Sequence, residues 1–413
     1  MREMKDSGIE WIGEIPKDWE ITKIGMLYNL RITKVSDTDY APLSVTKMGV
    51  LPQLETVAKT NAHDDRKLVK KGDFVINSRS DRRGSCGISN YYGSVSLINI
   101  VLEPKNNMSS GYYSCLFKTV QFADEFYKNG HGIVDDLWTT GWQDMKRIIL
   151  PVPHYSEQQQ IANYLDTKCS EIDATAEDIQ KEISLLEDYK KSVITEAVTK
   201  GLNPDAEMKD SGIEWIGEIP KDWKVDKIKY HLKRNEPKNP GNAIVLSVYR
   251  DYGVIPKDSR DDNHNVTSED TSKYKFVKKG QLVINKMKAW QGSLAVSDYD
   301  GIVSPAYFIY DFIDEEYNHK YFHYLVRSCY KEEFKRISGG IREGQWDLSP
   351  EEFSNTLVLL PSVEEQNEIL DYILQKEMEI DTLITDKKRQ LDILADYKKS
   401  LIYEYVTGKK EVI

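Results

Sequence analysis

Two short segments of this 413-residue chain concentrate side chains able to read a nucleic acid. SRSDRRGSCG (residues 78–87) carries Arg79, Arg82 and Arg83, and KMKAWQGSLA (residues 286–295) carries Lys286, Lys288 and Gln291. Arg and Lys donate to guanine O6 and N7 in the major groove, Gln pairs with adenine, and any of these cations can meet a phosphate. A second pair of segments, GHGIVDDLW (residues 130–138) and GGIREGQW (residues 339–346), adds Arg342 and Gln345 as candidate base or phosphate contacts. Each of these residues could equally be a solvated surface charge, so residue type nominates contacts without assigning them. Trp138 and Trp346 read as core side chains and not as base-stacking platforms.

Other reactive constellations are missing. The sequence has no G-x-x-x-x-G-K-[ST] loop to cradle nucleotide phosphates and no N-P-P-[FY] of the kind adenine methyltransferases carry. Gly130-His131-Gly132 is a dinucleotide-motif fragment without its third glycine, for which loop geometry is the simpler reading. PDAEMK (residues 204–209) superficially resembles a nuclease signature, but its acids are two residues apart in a linker. His319 and His323 have the i, i+4 spacing that can bind zinc on a helix. No Glu follows His319, and the aromatic neighbours suggest a packed face.

The elements that position these loops come in two copies. MKDSGIEWIGEIPKDW occupies residues 4–19 and again, unchanged, residues 208–223. LVKKGDFVIN at Leu68 answers FVKKGQLVIN at Phe276, GSVS at Gly93 answers GIVS at Gly301, and Trp138 answers Trp346. The spacing is 204 at the first block and 208 from the LVKKG block onward, so the second copy gained four residues between them. A repeat of that length means two domains, not a solenoid. DFVIN, SVSLINIVL, QLVIN and IVSPAYFIY read as strands, and YYSCLFKTVQFADEFYKN and KYFHYLVRSCYKEEFKRI each read as one helical stretch. Both domains are therefore α+β. Loops that differ on a shared scaffold suggest two different recognition surfaces, whereas the identical blocks suggest a common junction with the helices that follow.

Each copy ends in a long helix. SEQQ after Pro153 and SVEE after Pro361 offer Ser156 and Ser362 as N-caps in capping boxes. Leu165, Ile172, Ile179, Leu186 and Val193 recur every seven residues beside Ala162, Cys169, Ala176, Ile183 and Ala197. Ile373, Ile380, Leu394 and Leu401 repeat the pattern beside Leu370, Ile384, Leu391 and Tyr405. Sustained heptads predict a coiled coil, and a duplicated chain satisfies its two helices most simply by pairing them antiparallel. Gly201 and Gly408 mark the stops, giving on the order of 40 residues each. Lys387 interrupts the second seam, where it either fixes register or extends its ammonium to solvent.

Four cysteines without a C-x-x-C pair suggest a reducing compartment, and no apolar run is long enough to span a bilayer, so the cytoplasm is expected. The net charge of −11 would oppose DNA binding if it were uniform. It is not uniform. Residues 154–207 carry 12 acids against 5 bases and residues 361–413 carry 12 against 8, while residues 20–150 carry 17 bases against 14 acids. The acid surplus lies on the helices and leaves the recognition segments neutral to slightly basic.

The block DYKKSVITEAVTKGLNPDAEMKDSGIEWIGEIPKDW (residues 188–223) resembles the central region of specificity subunits of type I restriction-modification systems. KKGQLVINKMKAWQGSLAVSDYDGIVSPAY (residues 278–307) is similar to their target recognition domains. The resemblance implies a non-catalytic subunit with recognition domains at residues 1–153 and 204–361, a central helix at 154–203 and a C-terminal helix at 362–413. It also implies double-stranded DNA as ligand, each domain reading half of a bipartite target while the coiled coil sets the spacer. Two methylation subunits, which carry the S-adenosylmethionine, and motor-nuclease restriction subunits would be the partners; the chain itself would hold no cofactor or metal. A coiled-coil adaptor whose two domains bind something other than DNA is the competing class.

Overall fold

The computed structural model describes residues 2–53, 64–105, 108–132, 138–241, 243–250, 252–259, 270–340 and 346–412. Two compact units emerge, Met1–Gln180 with Lys388–Ile413, and Lys181–Lys387. The chain passes from one to the other within its two long helices, Tyr155–Lys200 and Val363–Val406.

Each unit is built on a four-stranded antiparallel sheet. In the first, Cys86–Ile88, Phe74–Asn77, Asn99–Pro104 and Tyr28–Leu30 lie side by side; in the second, Leu294–Val296, Leu282–Asn285, Tyr307–Phe312 and Leu232–Asn235 do so. The central strands are buried on both faces, which explains why FVIN and LVIN are unbroken apolar runs. Period-two alternation sends Phe74, Ile76, Ile100 and Leu102 toward the helices and Val75 and Val101 toward a smaller cluster with Leu43, Val50, Val69 and Val95. Leu282, Ile284, Phe308 and Tyr310 divide from Val283 and Ile309 in the same way. Gly93 and Gly301 permit the close backbone approach behind this second layer: a Cβ there would stand 2.5 Å from Ala41 O and 2.6 Å from Ile244 O.

Several sequence readings split in two. SVSLINIVL forms Gly93–Ser96 and Asn99–Pro104, with Asn99 Nδ2 donating back to Ser96 O at 3.2 Å across the turn. IVSPAYFIY forms Gly301–Val303 and Tyr307–Phe312, because Pro305 cannot donate to a ladder. Both helical stretches are helix pairs, Ser110–Phe117 with Val120–Lys128 and His319–Cys329 with Lys331–Arg336. Thr119 causes the first break: its side chain caps the following helix by accepting from Phe122 N.

Within each unit the two long helices pack antiparallel. In the first, Tyr164 meets Tyr405 and Asp173 pairs with Lys398 at 2.6 Å. In the second, Lys190 pairs with Asp381 at 2.9 Å and Glu182 with Lys387 at 2.6 Å. Lys387 thus keeps its ammonium at the rim of the seam, paired across it. Ile179, Ile183, Val193, Ile380 and Ile384 are buried at heptad positions. The helices are 46 and 44 residues long and stop before Gly201 and Gly408, both at positive φ. Ser362 caps as expected, accepting from Glu365 N at 3.2 Å. Ser156 does not, because the helix begins at Tyr155, two residues before a Ser156 cap would start it, and places Ser156 inside its first turn.

The identical blocks seat both helices. Each folds into a two-stranded hairpin and ends on a buried Trp, and Trp19 Nε1 donates to Glu157 Oε2 at 3.0 Å while Trp223 Nε1 donates to Glu365 Oε2 at 2.8 Å. Those carboxylates lie in the first turns of the two helices, where negative charge suits the helix dipole. The opposite helix ends are held by tyrosines: Tyr112 OH donates to Val406 O at 2.8 Å and Tyr321 OH to Val198 O at 3.2 Å. One junction is therefore built twice from the same residues.

Candidate nucleic-acid interface

The predicted recognition loops leave the central strands at one point in both units, on the same backbone. Asn77 N donates to Ser85 O at 2.9 Å, and Asn285 N to Ser293 O at 3.0 Å. Asn77 Oδ1 accepts from Arg79 N at 3.1 Å, and Asn285 Oδ1 from Met287 N at 3.2 Å. Both loops run through one 3-10 turn, Ser80–Arg82 or Ala289–Gln291, and then a glycine at positive φ, Gly84 or Gly292. The side chains on this common frame differ: with the offset of 208, Arg79 stands where the second unit has Met287, Arg82 where it has Trp290, and Arg83 where it has Gln291.

The second predicted segment braces the first in each unit. Ser80 N donates to Trp138 O at 3.0 Å and Thr140 N to Ser78 O at 3.0 Å; in the other unit Leu348 N donates to Lys286 O at 2.9 Å. Trp138 and Trp346 are half-buried braces and not core residues. Trp138 Nε1 donates to Tyr127 O at 2.8 Å, and Trp346 packs on Trp290 with ring centroids 5.5 Å apart. The strands at the loop base supply rigidity, so both loops are held on a scaffold.

The arginines are partly exposed and have acidic partners. Arg79 Nε lies 3.1 Å and Arg82 Nε 3.6 Å from the Asp81 carboxylate, and Arg83 pairs with Asp124. Lys286 pairs with Asp347 at 2.7 Å, and Gln291 is half-buried. Lys288 is exposed, with no ion pair among the described residues. Exposed pairs of this kind contribute at most about 1 kcal/mol, so a phosphate can displace the carboxylate. Arg342 and Gln345 lie outside the described residues.

At the start of each strand that leads into these loops, the end away from the loop, sits a polar network that sequence reading did not find. In the first unit buried Asp73 accepts from Arg31 Nε at 2.7 Å and from Lys70 N at 2.8 Å, and Arg31 also reaches Glu103 at 2.9 Å. In the second unit the same three places hold Asn235, Gln281 and Asp311: both amides donate to the Asp311 carboxylate, at 2.6 and 2.5 Å, and Gln281 Oε1 accepts from Lys278 N at 2.7 Å. The D-to-Q change inside KKGxxVIN was visible in the sequence; its partners were not, since Arg31 lies 42 residues before Asp73 and Asp311 lies 30 after Gln281.

His319 and His323 serve the fold. The His319 ring stacks on Phe312 at 3.9 Å, and His323 Nδ1 accepts from Val296 N at 3.2 Å. Burial lowers His323 to about 3. The folded state therefore holds it neutral while the unfolded chain takes up a proton below about 6.5, so stability is full above pH 6.5 and falls as pH drops toward 3. At pH 5 the loss is about 2 kcal/mol. Urea unfolding at pH 7.5 and 5 should show it, and His323→Gln should flatten the difference between the two pH values.

A pair of like recognition modules, each on a frame shared with the other and each seated on paired helices, is the class these observations define. Residues 16–185 match the type I restriction modification DNA specificity domain. The Methanocaldococcus jannaschii type I restriction enzyme MjaVIII specificity subunit is 25% identical over 96% of this chain and 94% of its own length. The putative MjaX specificity subunit from the same organism is 26% identical over 52% of each chain. Two solved structures share the fold. One comes from work on complex assembly and conformational transition of the type I R-M system (TM-score 0.69, 12% identity, 96% of this chain and 99% of that one). The other is the HsdS subunit from Thermoanaerobacter tengcongensis (TM-score 0.54, 13% identity, 96% and 98%). The chain is similar along nearly its whole length to a type I restriction enzyme specificity subunit, and residues 16–185 match the DNA specificity domain of that family.

Proposed function

We propose that the chain gives a type I restriction-modification complex its DNA address and performs no chemistry itself. Residues 1–153 and 204–361 each bind one half of a bipartite double-stranded target, and the helical segments 154–203 and 362–413 set the number of base pairs between the halves. The observation that carries this reading is the recognition loop: one backbone frame used twice, with Arg79, Arg82 and Arg83 on one copy and Lys286, Lys288 and Gln291 on the other. A shared frame presents both loops to DNA in the same way, and different side chains select different bases. Arg342 and Gln345 are further candidates from sequence. Two methylation subunits, carrying S-adenosylmethionine and the pocket for a flipped adenine, dock on the repeated junctions, and motor-nuclease subunits join them for cleavage. The complex works in the cytoplasm. Among the described residues no helix is long and apolar enough to cross a membrane.

Co-expression with the methylation subunits, followed by mapping of modified adenines across the host genome, tests the proposal. A split motif with a fixed gap is the expected result. Unchanged methylation, or a continuous motif, refutes it.

A further inference from the structure

The second unit buries a histidine that faces carboxylates from two directions. His231, just before the strand Leu232–Asn235, is 2% exposed. Its Nδ1 lies 2.9 Å from Asp314 Oδ2 and 3.6 Å from Glu316 Oε2. Its Nε2 has no hydrogen-bond partner among the described residues and lies 3.5 Å from Asp226 Oδ2. Tyr317 walls the ring edge-on, with centroids 5.0 Å apart.

A neutral imidazole has one N–H and one lone pair. With the proton on Nδ1, the Nε2 lone pair faces Asp226; with it on Nε2, the Nδ1 lone pair faces Asp314 and Glu316. Either tautomer sets a buried lone pair against anionic oxygen, so the cluster calls for one more positive charge. A second proton on Nδ1 could satisfy only one of the two carboxylates that converge there. One ligand atom from each of His231, Asp314 and Glu316 lies within 4.8 Å of the other two, close enough for a single ion to bridge all three.

We propose that His231, Asp314 and Glu316 bind a divalent transition-metal cation of the zinc class. One imidazole nitrogen with two carboxylates is a donor set zinc accepts, and Asp226 would accept a hydrogen bond from Nε2–H, the role a second carboxylate plays behind a metal-bound histidine. Asp314 Oδ1 accepts from Glu316 N at 3.0 Å, holding both carboxylates in one turn, and their side chains are 28% and 56% exposed, which leaves an entry side and room for water ligands. The fold does not require the cluster: at the matching positions the first copy has Thr22, Leu27, Asn106 and Met108, with no carboxylate or imidazole. The turn also carries the start of the C-terminal helix, since Gln366 Nε2 donates to Glu316 O at 2.8 Å. A bound ion would brace that junction in this unit alone.

The test uses the full chain, stripped with a chelator, freed of it, and given Zn²⁺ alone. The expected result is one zinc per chain after gel filtration and a thermal midpoint that rises with free zinc. Glu316→Gln, a half-exposed change that leaves folding intact, and His231→Leu, which writes in the first unit's residue, should each lose the bound ion and the zinc-dependent rise. Asp226→Asn should weaken zinc binding about 10–100-fold. Zinc retention by the unaltered chain no greater than by Glu316→Gln, or an equal midpoint rise in every variant, overturns the proposal and leaves the three side chains a hydrogen-bonded cluster.

Discussion

Asp73→Ala is expected to destabilise the first unit by about 3–5 kcal/mol, the usual cost of leaving one partner of a buried ion pair alone. The side chains of Arg31 and Asp73 are 9% and 2% exposed, so water cannot replace the lost carboxylate. Glu103 still reaches Arg31, but its side chain is 48% exposed, which sets the loss near the lower end of the range. Gln281→Ala at the matching place removes only neutral donors and acceptors and should cost about 1–3 kcal/mol. Urea unfolding of the full chain, with hydrogen exchange reporting each unit separately, distinguishes the two; equal losses would contradict the account. The triple change Arg31→Asn, Asp73→Gln and Glu103→Asp transplants the second unit's network and should recover most of the stability lost by Asp73→Ala.

That exchange also marks what the sequence made legible. The duplicated chain is an alignment of two, and it exposed the heptads, the central strands and the divergent loops, because each depends on local residue type or short period. Helix caps and strand breaks were less secure: Ser156 met the capping pattern, yet the helix begins at Tyr155, and SVSLINIVL concealed a turn inside an apolar run. Contacts closed by tertiary structure left no local signal. Glu365 read as the second half of a capping box, whereas its carboxylate accepts from Trp223, 142 residues away. The shift from Arg31, Asp73 and Glu103 to Asn235, Gln281 and Asp311 becomes a coordinated change only once the strands are side by side. The same holds for His231, whose carboxylates come from the end of one strand and the turn after another.

Replacing Arg79, Arg82 and Arg83 together by alanine is expected to remove reading of one half of the target while leaving the other intact. Among the described residues each pairs with an exposed aspartate, so the free chain loses little stability, on the order of 1 kcal/mol or less per pair. The loss in the complex is larger: a side chain on a base edge contributes about 1–3 kcal/mol, so three such contacts amount to roughly a hundredfold or more in affinity. The two kinds of contact separate by salt. An arginine on phosphate, once removed, lowers the slope of log affinity against log salt by about 0.9 and weakens every sequence alike. One on a base relaxes the preference at a single position of the motif and barely alters the slope. Binding assays on half-site variants at several salt concentrations, with the assembled complex, assign each arginine to one class. Lys286→Ala, Lys288→Ala and Gln291→Ala should alter only the other half, because they stand on the second unit's copy of this loop, where Gln291 takes the place of Arg83 and the two lysines those of Ser78 and Ser80. If the three arginine changes shifted both halves together, the loops would be acting through assembly with the partner subunits and not through the bases.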